Sequence, residues 1–298
     1  MGAEPRRVTT HKYPPVRQCI YCRTTALSPG LSRFTDEHII PLALGGNLLL
    51  REASCTCCMK IINQQIESLI LLKEWGYFRI KRNFLTRNKN NRKEARETLV
   101  TLRQFDGLPM QIGVLDYSCP VPLYKFKEAR IFSGVHRNDG VHWSMDILTT
   151  HEDEMEMQSK FPNWNREHII IPRPYEFARL LAKIAYSYAA AEYGIEGFTP
   201  FITDIILGYS VDYFHLIGGS WYPQPAIPHG DHITDIRITF KTERLALLWV
   251  EVRLFSEVST PAYHVVVGEI DFNDPQHLLI FRKHAINGKI PNIPTLVG

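Results

Sequence analysis

Two cysteine pairs of identical spacing, Cys19-x-x-Cys22 and Cys55-x-x-Cys58, constrain this chain more than any other feature. Each pair sets two thiols on one tight turn, facing the same point, and two such turns complete a tetrahedral set of soft ligands. Cys57 sits inside the second pair, but Cys55 with Cys58 preserves the spacing. The sixth cysteine, Cys119, lies in residues 117–123 with no neighbouring partner and is expected to fill a core. Residues 1–16 carry Arg6, Arg7, His11 and Lys12 and no apolar run of secretory type. A cytoplasmic location is therefore expected, where thiols stay reduced and close pairs bind metal rather than form disulfides. Cys19, Cys22, Cys55 and Cys58 are expected to hold a structural zinc ion.

Residues 23–54, between the pairs, are longer than a minimal zinc ribbon requires. They contain Asp36-Glu37-His38-Ile39-Ile40-Pro41, followed at once by Leu42-Ala43-Leu44-Gly45-Gly46. A histidine has an unperturbed pKa near 6.5 and is the natural proton acceptor at neutral pH. Hydrolysis of a phosphodiester needs such a base, a divalent cation to neutralise charge on the phosphate, and a rigid frame to align them. His38 is the candidate base.

Taken in order, Cys19-x-x-Cys22, Glu37-His38-Ile39-Ile40-Pro41, Gly45-Gly46 and Ala53-Ser54-Cys55-x-x-Cys58, with Asn63 on the helix that follows, resemble the HNH endonucleases of the ββα-metal type with a zinc-binding cysteine frame. The resemblance covers about residues 16–70. It implies that the residue before the histidine and one on the following helix, here Glu37 and Asn63, hold a single catalytic ion, Mg²⁺ or Mn²⁺. Both are oxygen donors suited to a hard cation. In a regular strand Asp36, rather than Glu37, shares a face with His38, so Asp36 stands as the second candidate ligand. Two positions depart from the family pattern. Met59 replaces the Asn or His common after the second cysteine pair, and the family's middle asparagine has no clear match, Asn47 being the nearest amide.

The ββα unit is expected as a strand over residues 31–40, a turn at Gly45-Gly46, a short return strand over 47–50 and a helix from about 56. Ile61, Ile62, Ile66, Leu69 and Ile70 recur on that helix at core-facing spacing. A net charge of +3 announces no polyanion partner by itself. Residues 73–96 hold nine cations against two acids, a run that by itself reads as a solvated face and beside the candidate phosphodiesterase site reads as a DNA contact. Lys73, Arg79, Lys81, Arg82, Arg87, Lys89, Arg92 and Lys93 interleave with Trp75, Tyr77, Phe78 and Phe84 and are the candidate DNA contacts.

Beyond residue 97 the pattern changes, and the expected domains are 1–97, the nuclease-like unit with its basic extension, and 98–298, a unit for regulation, targeting or assembly. Strands are expected over 98–102, 111–115, 129–132 and 141–145, with a turn at Asn138-Asp139-Gly140 and a loop at Pro120-Val121-Pro122. Pro174 opens a long amphipathic helix that Gly194 stops, and three alternating runs over 233–240, 246–255 and 263–269 read as antiparallel strands. The fold class is therefore α+β: a small zinc-stapled ββα domain followed by a larger α+β domain. Three further features read as structural: Glu167-His168 through Pro172 as a strand, His229-Gly230-Asp231-His232 with Asp235 as an exposed turn, and Ile217-Gly218-Gly219 as a lone glycine pair. No run of apolar residues reaches membrane-spanning length.

The expected function is metal-dependent cleavage of DNA, as the effector of a bacterial anti-phage system in one version, with a protein partner or a second copy bound through the C-terminal part. The alternative is a zinc-containing nucleic-acid-binding or interaction subunit without catalysis.

Overall fold

A computed structural model describes residues 9–27, 30, 32–82, 84, 97, 99–104, 107–118, 121–134, 143–148, 151–162, 164–165, 171–220, 222–227 and 232–286. Among them no helix is long and apolar enough to cross a membrane. The N-terminal segment is a three-stranded sheet with a helix laid against it. Strand β1 (His11–Tyr13) runs parallel to β3 (Leu48–Ser54), and β2 (Thr35–His38) lies antiparallel on the other side of β3. Residues 31–40 thus give a shorter strand than expected and 47–50 a longer one. The register pairs Glu37 with Leu50 and His38 with Leu49, with a bulge between Thr35 and Glu37.

The two glycines between β2 and β3 have separate reasons. A short 3-10 turn, Leu42–Leu44, closes on Gly45 at φ 87°, a left-handed conformation that a Cβ would strain. Gly46 passes so close to Ile40 that an added Cβ would lie 2.0 Å from its carbonyl oxygen.

Helix α1 (Thr56–Ile62) starts at Cys55, whose sulfur accepts the Cys58 amide at 3.4 Å. It continues as a π-helical stretch, Asn63–Glu74, in which Trp75 N–H still reaches back five residues to Ile70 O. Along it Ile62, Ile66 and Ile70 are buried, while Ile61 and Leu69 are half-buried. Trp75 ends the stretch and α2 (Gly76–Lys81) follows.

Downstream, β4 (Leu99–Gln104) and β5 (Pro109–Gly113) form a hairpin. Strand β6 (Val121–Phe126) begins where the two prolines suggested a loop. In this two-stranded sheet it needs few ladder donors, and Pro122 O accepts from Trp75 Nε1 at 3.1 Å. Residues 129–132, expected as a strand, instead form a helical turn, α3 (Arg130–Ser133), which Gly134 closes at φ 66°. Buried Ala129 turns the chain there against the backbone of Gly218, which approaches too closely to carry a Cβ. The partner of β7 (Trp143–Leu148) is therefore β6. Helix α4 (His151–Lys160) buries Met157 in a small core with Val100, Leu102, Ile112, Val114 and Tyr117, and β8 (Trp164–Asn165) pairs with β4. The turn expected at 138–140, the strand at 167–170 and Cys119 lie outside the described residues.

Helix α5 (Pro174–Tyr193) opens on its proline and stops at Gly194, φ 74°, as expected. It is buried on almost every side, including Arg179, Lys183 and Ser187. Two short strands and a short helix, β9 (Thr199–Pro200), α6 (Thr203–Leu207) and β10 (Ile217–Gly219), lead into the antiparallel ladder. That ladder, β11 (His232–Phe240), β12 (Leu245–Leu254) and β13 (Tyr263–Asp271), matches the three alternating runs, with order β10-β13-β12-β11 and β9 also paired to β13. Helix α7 (Pro275–Ile286) packs Phe281 back onto it.

One face of α5 lies on β12 and β13 and another on the π-helical stretch, so a single hydrophobic core extends from Cys19 to Phe281 across position 97. Aromatic rings tie it together: Phe177 of α5 lies 5.8 Å from Trp75 and 5.4 Å from Tyr263. Near this contact the Tyr124 hydroxyl donates to Glu74 Oε1 at 3.0 Å and accepts the Arg173 amide at 2.6 Å.

Burial pushes the Glu74 carboxyl up from 4.5 to about 7. A carboxyl raised on folding stabilises the protein below its unfolded pKa and loses that contribution as pH rises through its folded value. After discounting for its partial exposure, the group is expected to remove on the order of 1–2 kcal/mol between pH 4.5 and 7. Denaturant unfolding of wild type and Glu74→Gln across this range should show the variant gaining that much relative stability on going from pH 4.5 to pH 8.

Candidate functional site

The four expected cysteines converge. Their sulfurs all lie within 4.8 Å of one another, and Cys22 Sγ is 3.7 Å from Cys55 Sγ. A zinc ion with bonds of about 2.3 Å places tetrahedral sulfurs roughly 3.8 Å apart, so the donor set and its spacing fit zinc. Cys19, Cys55 and Cys58 are buried and Cys22 is exposed, while Cys57 faces solvent outside the cluster. The first knuckle is closed by Cys19 N–H to Thr24 O and Arg23 N–H to Cys19 O. Arg23 adopts φ 60°, and its guanidinium donates to Ile195 O at 2.8 Å just beyond α5.

Strand β2 carries the acid-histidine motif beside this cage. His38 is half-buried with Nδ1 inside. Glu37, 7% exposed, turns into the core. There its Oε1 lies 2.7 Å from Lys183 Nζ, and the buried Tyr21, from between the first two cysteines, lies near its carboxylate. Lys183 is wholly buried. It pairs with Glu67 Oε1 at 3.4 Å and donates to the carbonyls of His38 and Ile39, the latter at 3.3 Å. Burial pushes the Glu37 carboxyl up, and Lys183 opposes that rise. Burial also works against the Lys183 ammonium, but Glu37 and Glu67 hold it above the usual lysine value. Glu37, expected on a catalytic ion, is thus engaged by a lysine from a distant helix.

The other candidate oxygen donors face outward. The half-buried Asp36 accepts the Glu52 amide at 3.0 Å and lies 3.4 Å from Arg33 Nη1. Exposed Asn63 donates its amide to Met59 Sδ at 2.8 Å and stands one turn before Glu67. The basic segment divides. Lys73 and Arg82 are exposed, and Lys81 donates to Tyr117 O at 2.9 Å. Arg79 is buried and donates to Ala43 O and Leu71 O, so it braces the turn before Gly45. Trp75 is fully buried and Phe78 and Phe84 pack around Phe255, which makes these rings core rather than platforms for bases. Arg87, Lys89, Arg92 and Lys93 lie outside the described residues.

His232 opens β11 instead of lying in an exposed turn. Its Nδ1 accepts the Phe255 amide at 3.2 Å, which leaves Nε2 to donate to Leu44 O at 2.8 Å. Sequence reasoning missed Lys183, Glu67, Tyr21 and His232. For Lys183 the signal was present: a lysine between Ala182 and Ile184 in the middle of an apolar helix.

Cys19→Ser is expected to lose the bound ion and to lower Tm by on the order of 10 °C, because a structural zinc site contributes folding energy directly. Cys57→Ser should leave both unchanged. Metal content by atomic emission and thermal unfolding check the pair, and equal behaviour of the two variants would contradict the cage.

Residues 19–71 match the family described as HNH endonuclease. No curated protein and no solved structure matches the chain. The family is one of nucleases, acting on nucleic acid, and the match spans both cysteine pairs, the acid-histidine strand and most of the π-helical stretch. Residues 19–71 of this chain are an HNH endonuclease family domain, and its Cys19, Cys22, Cys55 and Cys58 fit a zinc-binding site.

Proposed function

We propose that the chain is a metal-dependent endonuclease that hydrolyses phosphodiester bonds in DNA, with His38 as the general base. The observation that carries this reading is the position of His38 inside the family match, half-buried on a strand braced on one side by β3 and on the other by Lys183. In the reaction His38 accepts a proton from the attacking water. The divalent ion, Mg²⁺ or Mn²⁺, neutralises charge on the phosphate when bound. Asp36 and Asn63 are the motif's oxygen donors on the accessible side, whereas Glu37 is occupied by Lys183. Exposed Lys73 and Arg82, with Lys81 and the downstream Arg87, Lys89, Arg92 and Lys93, supply phosphate contacts that position the duplex without reading its sequence.

A second reading, a nucleic-acid-binding zinc module without catalysis, has one observation in its favour: Glu37 is withdrawn into an ion pair while the Asn63 amide turns to Met59 Sδ. His38→Ala separates the two. Loss of a general base is expected to slow plasmid cleavage in Mg²⁺ at least ~100-fold with zinc content and Tm retained. Full cleavage by the variant would refute the base assignment, and no cleavage by wild type under Mg²⁺ or Mn²⁺ would favour the second reading.

A further inference from the structure

The Nζ of Lys183 is surrounded by oxygens from two separate elements of the nuclease segment. Glu37 Oε1 stands at 2.7 Å and Glu67 Oε1 at 3.4 Å, and the successive carbonyls of His38 and Ile39 complete the shell. An ammonium has three protons to give, so four acceptors saturate it. Apolar side chains of similar volume generally fill such a position at lower cost than a buried charge. The charge therefore has to be explained by what it holds in place.

It holds the backbone on which His38 is mounted. The β2–β3 ladder ends at His38 paired with Leu49, and Ile39 N–H makes one more bond to Leu48 O. The carbonyls of His38 and Ile39 point the other way, into the core, and Lys183 takes both. The peptide joining His38 to Ile39 is thus fixed through its N–H on one side and its oxygen on the other, which sets the direction in which the Cα–Cβ bond of His38 leaves the strand. The same ammonium keeps Glu37 inside. Tyr21 lies between Cys19 and Cys22 and bonds Ser187, one turn beyond Lys183, at 3.0 Å.

We infer that Lys183 is a positioning residue for His38: its ammonium sets the orientation of the histidine and retains Glu37 as an internal counter-ion instead of a ligand of the hydrolytic metal. The inference rests on the nuclease reading for its kinetic consequence, and on the geometry alone for its structural one.

The test compares full-length wild type, His38→Ala, Lys183→Met, and Lys183→Met combined with Glu37→Gln and Glu67→Gln, the last removing the stranded carboxylates should the single variant fail to fold. With zinc content equal to wild type, the folded Lys183 variant is expected to cleave plasmid in Mg²⁺ with kcat lowered 10- to 100-fold and KM within threefold. Ring ¹H–¹³C signals of His38 should broaden or double as more than one orientation is sampled. A folded variant with kcat within threefold of wild type, or with a raised KM at unchanged kcat, overturns the inference. If wild type shows no cleavage, the nuclease reading fails and the ring signals decide: disturbed signals uphold the positioning role, and signals identical to wild type overturn it.

Discussion

Lys183 brings a full positive charge to a place with no solvent exposure, and the N-terminal motif is built around it. Removing one partner from a buried ion pair generally costs about 3–5 kcal/mol, because the charge left behind is uncompensated. Here one ammonium serves two carboxylates and two carbonyls, so its loss would strand several groups at once. Neighbouring turns of α5 repeat the theme. Arg179 donates to Gln65 Oε1, the Tyr186 hydroxyl to Ile20 O, Ser187 bonds Tyr21, and Glu192 accepts from Tyr13. The helix is thus a spine along which the segment matching the HNH family is attached by specific polar contacts, between apolar faces.

Within that frame the local determinants are few. The cysteine cage fixes the two knuckles, and its second pair doubles as the start of α1. Gly45 turns the chain and Gly46 lets it pass under Ile40. Arg79 and His232, both downstream in the sequence, then brace the intervening 42–44 turn through the carbonyls of Ala43 and Leu44. Residues far beyond the family match therefore shape the loop that follows the histidine.

This division explains what could be read in advance. The cage, the glycine turn and the order of β2, β3 and α1 follow from spacing over short distances, and the sequence shows them directly. The three long strands and α5 follow from period-2 alternation and from Pro174 and Gly194 at the helix ends. What could not be read depends on contacts between distant positions. A segment mixing Trp75, Phe78 and Arg79 looks the same whether its rings stack on bases or fill a core, and Phe177 and Phe255 decide for the core. Glu37 reads as a metal ligand from its place beside His38, and its pairing with Lys183 on a distant helix has no local signature. Residues 129–132 have strand composition, yet they form a helical turn where Gly218 packs against Ala129.

The central claim is that the motif strand and α5 form one structure. Native-state amide hydrogen exchange under graded denaturant tests it most directly, because it measures which segments open together. Ile39, Leu50 and the amides around Lys183 are expected to open with one common free energy, equal to that of global unfolding. Opening of residues 35–54 in a separate step, at clearly lower free energy and with α5 still protected, would contradict it.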